Sequence, residues 1–199
     1  MKLKVLAVLI ASAAFVTSAY AQSVFTAKLA GLKETPIVIS GAMGTARVTI
    51  SRDEKSIEYE VTYNGLEGSV GTGKTVLFSH IHVGRPTVTG GVAVFFCGQD
   101  PKDANAVTGP HQVCPAAAGP GTSKPPVTGT LTQADITGPA SQGVDPTNPN
   151  NEDSFARLVK AIKSGLSYAN VHTTRSAGGE IRGQLVRARH DDDDDDDRD

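Results

Sequence analysis

The sequence predicts a mainly β fold, an antiparallel sandwich or barrel of short strands with one short helix. Three observations predict it. Apolar and polar residues alternate with period two through the early part of the chain. Clusters of turn-forming residues interrupt that alternation at short intervals. A 3.6-residue apolar period stands out in only one segment, late in the chain.

The alternation is carried by Phe25, Ala27 and Leu29, then by Ala46, Val48 and Ile50, and most clearly by Ile57, Tyr59, Val61 and Tyr63. Residues i and i+2 of a strand share a face, so each run has one dry and one wet side. Glu34-Thr35-Pro36, Arg52-Asp53-Glu54-Lys55 and Asn64-Gly65 supply turns between these runs. Further strands are expected over 75–83, 91–97, 127–131, 168–173 and 180–186. The helix is expected over 151–165, where Phe155, Leu158, Val159 and Ile162 fall at i, i+3, i+4 and i+7. Asn151 is read as its N-cap, with Glu152 and Asp153 in the first turn, Lys160 and Lys163 near the far end, and Gly165 closing it. The stretch 98–150, rich in Pro, Gly, Ala and Thr, reads as a loop-rich insertion around one strand.

The two ends are of a different kind. Residues 1–21 combine Lys2 and Lys4, an apolar run to about Val16 and the small-residue pattern Ala19-Tyr20-Ala21. That is the layout of a secretory signal peptide cleaved after Ala21. The apolar run is too short and Ala-rich to span a bilayer, which takes about 20 apolar residues. The protein is therefore expected to be exported, periplasmic or extracellular, and not integral to a membrane after cleavage. Residues 190–199 contain Asp191 to Asp197 and read as a disordered acidic tail, a solubilising appendage that also offers weak cation binding. Between the ends, residues 22–189 are the size of one domain. Of 21 acidic and 19 basic residues, the tail takes eight acids and Arg198, and the leader takes two lysines. The remainder holds 13 acidic and 16 basic residues. A body so near neutrality argues against nucleic acid as a partner.

Cys97 and Cys114 are the two cysteines. In an exported chain, with no CxxC at either position, one disulfide is the expected reading. A second motif, GSVGTGKT at 68–75, spells a P-loop. A working P-loop follows a buried strand and opens a helix. Here a half-exposed alternating strand precedes it and VLFSHIHVG, itself a strand pattern, follows. The segment is read as a Gly-rich connection.

His80 and His82, in FSHIHVG, sit at i and i+2 and project from one face of a strand. His172, in YANVHTT, lies on a late strand. Three neutral imidazoles suit copper or zinc, so His80, His82 and His172 are the candidate metal ligands. The competing reading is structural: each ring bonds a backbone carbonyl or a carboxylate, with Glu34 or Glu180 the nearest candidates by sequence logic. His111 lies in a loop beside the expected disulfide, and His190 borders the tail. No Ser occupies a G-x-S-x-G elbow, and Glu34, Glu58 and Glu180 carry no cue for an acid–base couple, so no catalytic residue is assigned.

Six segments taken in order, LAGLKETP (29–36), GTARVTI (44–50), EYEVTYNGL (58–66), FSHIHVG (78–84), SYANVHTT (167–174) and GGEIRGQL (178–185), resemble the CHRD domain. That domain was first described in chordin, an inhibitor of bone morphogenetic proteins, and occurs in bacterial exported proteins. The Cys-bearing 98–150 stretch and the aspartate tail depart from the family pattern. The resemblance implies an immunoglobulin-like β-sandwich, distantly similar to copper-zinc superoxide dismutases. In those enzymes an H-x-H strand pair and a V-H on a late strand bind copper, and His80, His82 and His172 match in type and order. The zinc-binding loop has no counterpart; only His111, Asp100 and Asp103 are eligible. Glu34, Glu180 and Arg182 are family motif positions without an assigned role. Two functions follow as expectations: a non-enzymatic binding or envelope module whose partner is a protein or envelope component, or a copper- or zinc-binding protein, redox-active in its strongest form.

Overall fold

A computed structural model describes residues 22–67, 76–99, 111–115, 125–147 and 153–189. The leader, the P-loop spelling at 68–75, Asp100, Asp103, Asn151, Glu152, His190 and the acidic tail lie outside the described residues.

Among the described residues, ten strands and one α-helix are arranged in the order β1 (Ser23–Ala30), β2 (Met43–Ile50), β3 (Ile57–Asn64), β4 (Val76–Val83), β5 (Gly91–Gly98), β6 (Gln112–Val113), β7 (Val127–Leu131), α1 (Ser154–Lys163), β8 (Ser167–Thr173), β9 (Ile181–Gln184) and β10 (Val186–Arg187). Nine form one hydrogen-bonded path, β6-β5-β4-β8-β9-β1-β2-β3-β7, and β10 pairs with β1 beside it. The fold is therefore mainly β, one strongly curled sheet with a short helix. It is mixed rather than wholly antiparallel, because β6 runs parallel to β5. The cause is local. The Cys97–Cys114 disulfide and the bond from the Cys114 N–H to the Gly98 carbonyl, 2.8 Å, hold the returning chain alongside β5.

The sheet curls until the ends of its path approach each other. The Tyr59 hydroxyl on β3 donates to the Phe96 carbonyl on β5 at 2.7 Å, and their rings lie 4.8 Å apart. The Gln112 amide on β6 donates to the Thr128 carbonyl on β7 at 2.8 Å. The apolar faces of the alternating strands meet inside this curl, with Phe25, Leu29, Val48, Ile57, Ile81 and Ile181 buried in one core. Removing that apolar area from water is the main stabilising term.

The helix buries the stripe Phe155, Leu158, Val159 and Ile162. Its N-cap is Asp153, whose carboxylate accepts from the Ala156 N–H at 2.6 Å, two residues later than the expected Asn151. Gly165, at φ +69°, ends it in a conformation that favours glycine. The stretch around β7 is loop-rich but anchored. Ile136 and Val144 enter the core, and the Thr137 N–H bonds the Ala93 carbonyl at 2.9 Å, covering part of the β5 edge. Among the described residues no helix is long and apolar enough to cross a membrane.

Candidate metal centre

Strand β4 is third along this path, between β5 and β8, and the period-two rule splits its residues. Ile81 joins the core, while His80 and His82 share the other face. That face is covered too. Phe95 on β5 lies edge-on to His80 at 5.2 Å, and Phe78 stacks on it at 5.4 Å. His80 is only 1% exposed.

Strand β8 pairs with β4 so that Phe78 faces His172 and His80 faces Asn170. His172 is thus a diagonal neighbour of His80, within reach of long or aromatic side chains. The ring centroids lie 4.6 Å apart for His80–His172, 4.4 Å for His80–His82 and 6.3 Å for His82–His172. One ligand nitrogen from each of the three rings lies within 4.8 Å of the other two.

The hydrogen bonds decide which nitrogens are available. His82 Nδ1 lies 2.8 Å from the Gly90 carbonyl, and His172 Nδ1 lies 2.8 Å from the Ala177 carbonyl. A carbonyl only accepts, so each Nδ1 carries the hydrogen and each Nε2 keeps a lone pair. His82 Nε2, His172 Nε2 and His80 Nδ1 are all buried and carry no hydrogen-bond partner among the described residues. Buried polar atoms are ordinarily bonded, and three such orphans in one cluster call for an explanation.

Electrostatics keep these rings neutral. Burial lowers the His80 pKa well below the usual imidazole range, and the charges of His82 and His172 add to the effect. Burial brings His82 down to about 4 against a supporting bond to Gly90. It lowers His172 as well, against the bond to Ala177. Neutral imidazole is the metal-ligating form.

The carboxylates do not play the part that a structural reading of the histidines gave them. Glu180 accepts from the Ser40 hydroxyl at 2.8 Å, the Glu67 N–H at 2.8 Å and the Thr173 hydroxyl at 2.6 Å. It ties two loops to β8. Glu34 accepts from the Asn170 amide at 2.7 Å, and burial raises its pKa to about 7 against the pull of Arg182. The histidines lean instead on two loop carbonyls, which no sequence motif marks. Arg182 reaches the cluster indirectly. Its guanidinium lies 4.5 Å over the Tyr168 ring, and Tyr168 stacks on His82 at 4.6 Å with planes 9° apart. His111 packs against Phe95 at 5.3 Å and is not part of the three-histidine group. Glu58 is an exposed residue of β3.

These three rings stand on the segments FSHIHVG and SYANVHTT, and GGEIRGQL supplies Glu180 and Arg182. The sequence matches the family model of the CHRD domain over residues 25–185. No curated protein and no solved structure matches the chain. The match spans most of the chain, from β1 to the residue after β9, and so the chain belongs to the CHRD domain family.

Proposed function

We propose that this CHRD domain protein binds one copper or zinc ion, copper the more tightly, through His80, His82 and His172. The observation that carries the reading is the set of three orphaned, buried nitrogens, one per ring, with the other nitrogen of two rings fixed by a carbonyl. Imidazole suits both metals, and affinity for a given nitrogen site generally peaks at Cu²⁺ in the divalent series. Metal–nitrogen bonds of about 2.0–2.1 Å place ligand nitrogens roughly 3.3–3.6 Å apart. From a separation of at most 4.8 Å, closure takes side-chain rotation of about 1 Å rather than a change of backbone.

The reading includes export, supported by the leader-like residues 1–21 and the disulfide, and an envelope or secreted location. It also includes the immunoglobulin-like sandwich of the family, supported by the packing of Tyr59 on β3 against Phe96 on β5 across the curl. The tail, Asp191 to Asp197, is assigned at most weak, multiple cation binding.

Calorimetric titration of the protein, purified without a polyhistidine tag, tests the proposal. One tight equivalent of Cu²⁺ is expected, with Zn²⁺ weaker at the same site, and the tight equivalent is lost in His80→Ala/His82→Ala. Multiple weak equivalents that vanish on deletion of 190–199, with no tight one, would overturn it.

A further inference from the structure

A cleft lined by none of the three histidines has chemistry of its own. Residues 32–37 form one wall, Pro86 and Thr87 another, and β9 from Arg182 to Gln184 the floor. Its volume is about 460 Å³, within the range of roughly 300–1,000 Å³ that small-ligand sites occupy. The walls are largely apolar, with Leu32, Pro36, Ile37 and Pro86 facing the space. Leu32 and Ile37 are 68% and 63% exposed, which is costly for large apolar side chains unless something covers them.

The polar part of the cleft is Arg182. It is buried, yet it lines the space. Its Nε donates to the Lys33 carbonyl at 2.7 Å, its Nη1 to the Val88 carbonyl at 3.3 Å and its Nη2 to the Thr35 hydroxyl at 2.8 Å. A guanidinium has five N–H donors. One on each Nη carries no partner among the described residues. The ammonium of Lys33, which donates to the Lys28 carbonyl at 2.6 Å, adds positive charge to the wall. Glu34 is the opposing group, with Oε2 4.0 Å from Arg182 Nε. Burial holds its pKa near 7, so around neutrality its charge is partly removed.

The geometry points to a second site: the cleft between residues 32–37 and 86–87 takes a small carboxylate with an apolar body. The carboxylate accepts from the spare N–H groups of Arg182, a pairing that is charge-assisted and stronger than a neutral hydrogen bond. The apolar body lies against Leu32, Pro36, Ile37 and Pro86. The site does not depend on the histidines and stands whether or not they hold a metal.

Titration calorimetry with octanoate and, separately, octanamide tests it. Octanoate is expected to saturate one site at least tenfold more tightly than the neutral amide. Leu32→Asp/Ile37→Asp is expected to abolish binding at an unchanged melting temperature, because both side chains are already exposed. If the double variant melts earlier, Ile37→Ser replaces it and should weaken octanoate at least fivefold. Absence of saturation, equal affinity for the amide, or binding indifferent to these substitutions would overturn the assignment.

Discussion

His172 stands in register opposite Phe78, and its ring lies 4.6 Å from that of His80 on the neighbouring strand. The pleat makes this diagonal contact possible, and a one-residue slip of β8 would send His172 to the other face. The three-histidine cluster is therefore a consequence of strand register. Each single change, His80→Ala, His82→Ala or His172→Ala, should weaken Cu²⁺ about 100-fold or more, beyond the 10–100-fold typical of outer-shell changes. Competition titration against a chelator measures this. A variant that retains full affinity would remove that ring from the site.

The metal-free protein should lose stability as pH falls from about 6.5 toward 4. His82 titrates near 4 when folded and near 6.5 when unfolded, so the unfolded chain binds more protons between those values. Its contribution is fully present above 6.5 and is lost as pH falls through 4. It amounts to about 3 kcal/mol, and His80 and His172 act in the same direction. Glu34 opposes them. Its folded pKa is raised from 4.5 to about 7, so its contribution is present below 4.5 and is lost as pH rises through 7. Urea unfolding at a series of pH values should show stability rising to about pH 6.5, with a steeper rise in Glu34→Gln. A flat profile would contradict the burial of the neutral rings.

Reducing the Cys97–Cys114 bridge should cost about 3 kcal/mol in the chain-entropy model for a loop of this separation, 17 residues. For a domain of this size that is a fall of roughly 6–12 °C in Tm. Thermal melting with and without a phosphine reductant measures it. The loss should be accompanied by release of β6, since its pairing with β5 begins at Cys97.

Glu180→Ala should destabilise by about 3 kcal/mol or more, because it leaves the Ser40 and Thr173 hydroxyls and the Glu67 N–H without their acceptor. Glu180→Gln, which keeps one carbonyl oxygen, should cost less. Urea midpoints compare the two. Equal and small effects would show that these donors find other partners.

Much of the fold was legible because one wet face leaves a period-two trace. In β3 the burial of Ile57, Tyr59, Val61 and Tyr63 follows the alternation residue by residue. The trace weakens in β4, where both faces are covered and Ser79 through His82 are all buried. There the spacing of His80 and His82 still gave their shared face. Strand β6 left no signal, because two residues held by a disulfide need no propensity of their own. The expected strand over 180–186 divides at Leu185, whose N–H turns to the Ser167 carbonyl at 2.9 Å. Whether strands share one ladder depends on which edges meet, and alternation is the same either way. The carbonyls of Gly90 and Ala177, which set the tautomers of His82 and His172, come from loops brought near by tertiary folding.

Electron paramagnetic resonance of the protein with one equivalent of Cu²⁺ reports whether three imidazoles from two adjacent strands hold one ion. A single species is expected, with nitrogen couplings that fit three imidazoles, and it should disappear in His80→Ala/His82→Ala. An oxygen-dominated spectrum, or one that survives that double substitution, would contradict it.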